Sequence, residues 1–422
     1  MFDLRFKTSN INRIGVISYL ITCLFYFYDP ILQIYPSVMA NQFMHDFHVD
    51  TIQLGFMASI YFIPYVLMQL PYGLLSDKLG IQLLMLIACS ITGGGCILFS
   101  TANSYHLILF ARFIMGFGAS ASTVCMVMMT NHWFGGRYFA VMVGIGQLFG
   151  NAGSMFGDIP VSISITHIGW NQTVFILGII GLVIACLSGI TVRDNPNYKS
   201  ESYKNSMSIW MQLVLVLKNH KTYWISIYVF CLWTGFSAFA GLWGVSYLTC
   251  LYHISTTEAG STIAIMWGAS ALGSVVIGWL SSKMYKRKLF LIISAVVGLV
   301  SFLVIVSLSK IPFIAMCLLL FLAGLSSSGQ ALSFAYIKDI NPTPVVGTAS
   351  GLNNMMVMLG SIFIDPFIGY LLKHLNQNKQ YTHGTLLYSV KNYQHAFIVV
   401  PILFMIAIFI SLFLKDPAQK VL

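Results

Sequence analysis

Four ionisable side chains stand inside long apolar runs of this 422-residue chain: Asp29, Arg112, Asp158 and Asp365. A charge at the middle of a bilayer costs about 2.5–3.5 kcal/mol by insertion scales, so each is a candidate for chemistry. An acid close to an arginine can exchange a proton against a charged solute, because desolvation disfavours a carboxylate while a nearby cation favours it. At a helical rise of about 1.5 Å per residue, Asp29 and Arg112 fall at a similar depth. Asp29 is therefore expected to be the proton or solute-ammonium site, with Arg112 as its electrostatic partner or as the anchor for a solute carboxylate. Because Pro30 follows Asp29, a broken helix capped by the acid is the structural alternative. Asp158 near Pro160 and Asp365 before Pro366 lie towards the far ends of their runs and are expected to act as gating elements or as helix caps.

Uncharged polar residues extend this set. Tyr61, Tyr65 and Gln69 recur every four positions and so share one face of a helix. Gln33, Gln147, Asn151, Gln330, Asn353 and Asn354 punctuate other apolar runs. Of these, Gln33, Tyr61, Tyr65, Gln330 and Asn354 are the expected cavity lining, the competing role being hydrogen bonding between membrane helices. Trp233 and Trp243 read as packing or interface residues.

The elements that must position these groups follow from composition. The chain is 57% hydrophobic and 8% charged, against roughly 25% charged in soluble domains, and its mean hydropathy is +0.81. Lipid leaves backbone groups no water to bond, so spanning segments are helices or closed barrels. The runs are too long and too uniformly apolar for barrel strands. An all-α polytopic membrane protein results, with spans expected at 14–40, 52–76, 81–101, 105–131, 138–166, 171–192, 222–250, 259–283, 288–309, 311–337, 345–372 and 393–414. Residues 193–221 are the one extended hydrophilic connection, which divides the chain into bundles at 1–192 and 222–422.

The formal net charge of +10 would suggest nucleic acid in a soluble protein, but here the basic residues occupy short loops. They are concentrated on the side holding both termini, which the positive-inside rule makes cytoplasmic. The eight cysteines show no CxxC or metal-ligand spacing, and no phosphate-binding loop motif occurs. No cofactor, metal or nucleic-acid partner is expected, and no constellation of nucleophile and base suggests an enzyme.

The two bundles are diverged copies. Gly153-Ser154-Met155-Phe156-Gly157-Asp158 matches Gly360-Ser361-Ile362-Phe363-Ile364-Asp365, and Phe113 to Gly116 matches Phe321 to Gly324. The loop Gly73-Leu74-Leu75-Ser76-Asp77-Lys78-Leu79-Gly80 is echoed at Gly278 to Lys283, where Ser282 stands in place of the acid. Twelve spans as two pseudo-symmetric six-helix bundles, with a site between them near the midplane, is an architecture of secondary transporters.

With Gly73, Leu75, Asp77, Lys78 and Gly80 in the loop between spans 2 and 3, and Arg112 and Gly116 in span 4, nearly the whole chain resembles the major facilitator superfamily. A helix-5 signature of its antiporters is matched by Gly144, Gly153 and Gly157 and then departs, with Asp158 in place of proline. Tyr28-Asp29-Pro30 and Trp133-Phe134 look similar to its lysosomal dipeptide carriers, and Pro36 to Met39 with Leu67 to Pro71 to bacterial sugar-phosphate-permease-type members. The resemblance implies a monomeric carrier of the bacterial inner membrane, moving a small polar organic solute such as an amino acid, dipeptide or similar metabolite with protons by alternating access. Gly73, Asp77, Lys78, Gly80 and Arg137 would then serve conformational change. A proton-coupled exporter of cations and a non-transporting receptor on the same fold are the alternatives.

Overall fold

The computed structural model describes residues 13–134, 139–195, 209–284, 286–308, 310–342, 345–376, 381–382, 385–386 and 388–416. Twelve spans cross the molecule. They are Arg13–Asp46; Thr51–Ser59 with Phe62–Leu79; Ile81–Ser100; Tyr105–Ala119 with Ala121–Phe134; Phe139–Asp158 with the first turns of Pro160–Thr191; and the remainder of that last helix. The second half repeats the series as His220–Ala238 with Gly244–Tyr252; Thr256–Met284; Arg287–Ser307; Phe313–Ser326 with Gly329–Ile340; Val346–Leu375; and Val390–Ala396 with Val399–Phe413. Among the described residues, eleven helical stretches are long and apolar enough to cross a membrane. The expected span 138–166 is instead divided at Ile159, and Gly169 (φ 80°, ψ 163°) turns its end into span 6. Ile209–Lys218 forms a helix within the stretch expected as a connection, most of the rest of which lies outside the described residues. A two-residue ladder joins Tyr381–Thr382 to Thr385–Leu386.

Large apolar side chains such as Leu67, Ile190, Ile314 and Phe409 face outward, as a lipid-facing surface requires. Inside, small residues let helices approach. Gly116 of span 4 lies directly against the backbone of Tyr61, and Gly153 of span 5 against that of Phe27.

The sequence duplication is visible in contacts. Spans 4 and 10 each break at the corresponding point, Ser120 and Ser327–Ser328. The Asp194 carboxylate, just after span 6, accepts from Ile81 N (2.8 Å) and caps span 3, while the Asp416 carboxylate, just after span 12, accepts from Lys288 N (2.8 Å) and caps span 9. Trp133 Nε1 donates to Arg193 O (3.2 Å), and Tyr336 OH donates to Lys415 O (2.7 Å).

The halves meet chiefly along two antiparallel pairs, span 2 with span 11 and span 5 with span 8, and also where span 1 touches span 7. At the end away from the termini both pairs are tight: a Cβ on Gly55 would sit 2.7 Å from Asp365 O, and one on Gly260 would sit 2.9 Å from Asp158 O. Thr51 Oγ1 donates to Gly369 O (3.1 Å), Ser162 Oγ meets Thr257 Oγ1 (3.0 Å), and Lys373 Nζ meets Asp50 Oδ2 (2.6 Å). Towards the termini the same helices are looser, since Cβ atoms on Gly73, Gly144 and Gly278 would meet nothing within 4 Å. The conformation is thus closed at the far end and relaxed at the terminal end.

Candidate functional site

Span 1 passes through Asp29-Pro30 and Pro36 as one helix, so Asp29 caps no break. Its carboxylate is fully buried and is surrounded by donors: Tyr61 OH (2.6 Å) and Gln33 Nε2 (2.9 Å) at Oδ1, Ser122 Oγ (2.6 Å) and Tyr65 OH (3.0 Å) at Oδ2. An ionised carboxylate is acceptor-only and needs such a set. Three of the donors are hydroxyls, which can also turn and accept, so the same cage can hold the acid form. Tyr65 OH lies 3.1 Å from Thr123 Oγ1 and Tyr26 OH donates to Gln147 Oε1 at 3.1 Å, extending the polar network into spans 4 and 5.

Arg112 is also fully buried, but among the described residues no ion pair joins it to Asp29. Tyr61 stands between them. Its hydroxyl donates to Asp29 while the guanidinium lies 4.6 Å from the centre of its ring, and Tyr35 offers a second ring at 5.4 Å. The guanidinium donates to Leu32 O (2.6 Å), Ala58 O (3.3 Å) and Met57 O (3.4 Å). These are carbonyls that the helices leave open. Pro36 has no N–H for Leu32 O, and Met57 and Ala58 precede the interruption at Ile60–Tyr61, where Pro64 likewise removes a donor. Arg112 therefore pins spans 1, 2 and 4 together, as buried backbone in lipid demands.

Next to this cage, between the halves, is a cleft lined by Gln33, Ile34, Ala58 and Phe62 from the first half and by Trp233, Ser237, Gly241, Leu242, Trp267, Met358, Ser361 and Asp365 from the second. About 30 Å³ of it can take the centre of a water-sized sphere; one water needs about 10–15 Å³ by that measure, so a solute enters only when the halves part. Gly241 and Leu242 lie in a π-helical turn, Phe239–Trp243, within span 7, a local irregularity often found at functional sites. Gln33 belongs to both places: it lines the cleft and donates to Asp29.

Of the remaining expected residues, Asp365 alone among those described lines the cleft. Gln330 and Asn354 are buried in spans 10 and 11 without lining the cleft. Asp158 is fully buried beside Trp267 and Ser37, yet neither of its oxygens completes a hydrogen bond. Asp365, in an unbroken helix despite Pro366, faces the cleft with Oδ1 unpartnered. Neither acid serves as a helix cap. Asp77 and Lys78 lie in the last turn of Phe62–Leu79, but their side chains, like all of Arg137, are outside the described residues. Gly80 adopts φ 82° directly against Asp194, a cap that no local spacing announces. Ser122 and Trp267 carry no signal in the sequence, and Ser361 enters there only as part of the Gly360–Asp365 repeat. Ser122 and Ser361 are common small residues in helices, and Trp267 is one tryptophan among eight.

Comparison with known proteins supplies the wider context. The probable sulfoacetate transporter of Cupriavidus necator is 24% identical over 63% of this chain and 65% of its own length. The probable galactarate/D-glucarate transporter of Bacillus subtilis is 22% identical over 80% and 81%, and the lysosomal dipeptide transporter of Homo sapiens is 24% identical over 80% and 75%. Among solved structures, a bacterial homologue of the human lysosomal transporter Spinster, inward-facing and unoccupied, superposes with a TM-score of 0.77 at 14% identity over 97% of this chain and all of the other. A nucleoside transporter gives 0.72 at 16% identity over 94% and 98%. The family model of the Major Facilitator Superfamily matches residues 16–364 and again 226–422, and the chain belongs to that superfamily.

Proposed function

We propose that this protein is a secondary active transporter of a small polar organic solute, coupled to protons through Asp29 and working by alternating access of its two halves. The observation that carries the reading is Gln33, whose side chain faces the inter-half cleft and donates to the Asp29 carboxylate at 2.9 Å. A solute that draws on the Gln33 amide withdraws one of four donors from Asp29 and so favours its acid form; protonation in turn frees Gln33 for the solute. Such mutual dependence is the reciprocal linkage that coupling requires. The tight far end and relaxed terminal end fit a carrier whose halves part first on the side of its termini, which the distribution of basic loops makes the cytoplasm. The relatives' named solutes are all small and polar but differ in charge, so they support the class and leave the charge to the cleft.

The test is flux into proteoliposomes of the full chain, with and without a pH gradient, across sugars, organic acids, amino acids, dipeptides and amines. Wild type accumulates its solute only with the gradient. Asp29→Asn keeps solute exchange at equal pH and loses accumulation. Full gradient-driven accumulation by Asp29→Asn would overturn the coupling site, and no flux of any class would overturn the transporter reading.

A further inference from the structure

The cleft has a definite electrostatic character. Asp365 is the one ionisable side chain among its described lining residues; it is 5% exposed and its Oδ1 has no hydrogen-bond partner. A buried carboxylate oxygen without a donor is costly while ionised, and at Asp365, unlike Asp158, the cleft gives a cationic partner room to relieve it. Its position is fixed, because the backbone of the same residue is pressed against Gly55 across the seam. Two tryptophans line the same cleft: Trp233 and Trp267 have ring centres 6.2 Å apart, inclined at 59°, and Phe236 packs edge-on to Trp267 at 5.0 Å. A carboxylate attracts a cation by charge, and an indole ring can add its quadrupole. Among the described residues no lysine or arginine lines the cleft, and Arg112 is committed to backbone carbonyls. Ile34, Leu242 and Met358 add an apolar wall suited to a short hydrocarbon body.

Resting on the transporter reading, we infer that the solute bears an ammonium group, held at Asp365 between Trp233 and Trp267, and that a purely anionic solute is not accepted. The ammonium supplies the donors that Asp365 lacks, and the solute's remaining polar atoms reach Gln33 and, through it, the Asp29 cage.

Leucinamide, leucine and N-acetylleucine share one side chain and carry a lone ammonium, both charges and a lone carboxylate. Their binding to the purified full chain is read from tryptophan fluorescence. Losing a charge-assisted hydrogen bond costs about tenfold or more in affinity, so leucinamide and leucine bind at least about tenfold more tightly than N-acetylleucine. Asp365→Asn, which preserves shape, removes that preference; Asp365→Glu, which preserves charge, retains it. Three results overturn the inference: equal or tighter binding of N-acetylleucine or glucarate, an unchanged preference in Asp365→Asn, or no binding of either ammonium compound. If glucarate or another anion is transported while leucinamide neither binds nor competes, the ammonium site falls and the transporter reading stands. Only a lack of flux for every solute removes both.

Discussion

Replacing Gly55 or Gly260 by alanine should open the far end of the molecule. Each glycine faces a backbone carbonyl oxygen of the other half, so a methyl group there would lie 2.7 Å from Asp365 O or 2.9 Å from Asp158 O. Contacts below 3.0 Å are essentially never made by real Cβ atoms, and a backbone neighbour cannot swing aside. The paired helices must therefore separate by about half an ångström at that level, and overpacking of this kind costs about 1–3 kcal/mol. The penalty falls only on the far-end-closed arrangement, because an open far end has already parted these surfaces. Each substitution should thus shift the closed-to-open equilibrium by about 5–150-fold. The two sites lie on separate helix pairs, so the double variant should combine both shifts nearly additively. Spin labels at the outward-facing positions Phe56 and Tyr370, in a background with the native cysteines replaced, would report the distance between spans 2 and 11. The longer-distance population should grow in Gly55→Ala and Gly260→Ala and grow further in the double variant. Gly278→Ala, where a Cβ meets nothing within 4 Å, should leave the distribution unchanged. Unchanged distances in Gly55→Ala and Gly260→Ala, or an equal response to Gly278→Ala, would refute the argument.

Arg112→Lys keeps the charge but not the fork, leaving at least two of the carbonyls of Leu32, Met57 and Ala58 without a donor; a loss of about 2–5 kcal/mol is expected, seen as a drop in thermal stability in detergent. Asp50 is partly buried, which pushes its acid form up, but the Lys373 ammonium and the Gln53 and Ile52 N–H groups outweigh this and hold it below the usual carboxylate range. A lowered folded value means that the far-end pair stabilises above the free carboxyl value of about 3.9 and is lost as pH falls through the lowered one, so the Phe56–Tyr370 distance should not respond between pH 5 and 8. At neutral pH Asp50→Asn should cost only about 0.2–1 kcal/mol, because the pair is half exposed. Asp194→Ala and Asp416→Ala should each remove a helix cap worth about 0.5–2 kcal/mol, and hydrogen exchange should rise at the first turn of span 3 in one variant and of span 9 in the other.

Much of this architecture is legible in the chain because hydropathy and length dictate spans, and because the Gly-Ser-x-Phe-x-Asp repeat survives in both halves. The four-residue spacing of Tyr61 and Tyr65 does place both hydroxyls on Asp29. Depth alone does not give lateral distance, which is why Asp29 and Arg112 share a level without forming an ion pair: Tyr61 fills the gap between spans 1 and 4. Proline also carries two messages that sequence does not separate. Pro30 follows an acid as in a helix cap, yet span 1 continues; Pro36 opens a carbonyl that Arg112, some eighty positions away, comes to satisfy. The caps from Asp194 and Asp416 are equally non-local. The cleft is unreadable for another reason. Its walls belong to five spans in two halves, and nothing in a single helix's pattern distinguishes Trp267 or Ser361 from ordinary packing residues.

The caps at Asp194 and Asp416 have one more consequence. In each half the residues just past the last span return to seal the third, so each bundle is fastened by its own end. Continuity of the chain between 195 and 209 should then be dispensable. Two separately translated fragments, parted inside that interval, should meet in the membrane and rebuild the same cleft, their affinity set by the contacts between the halves.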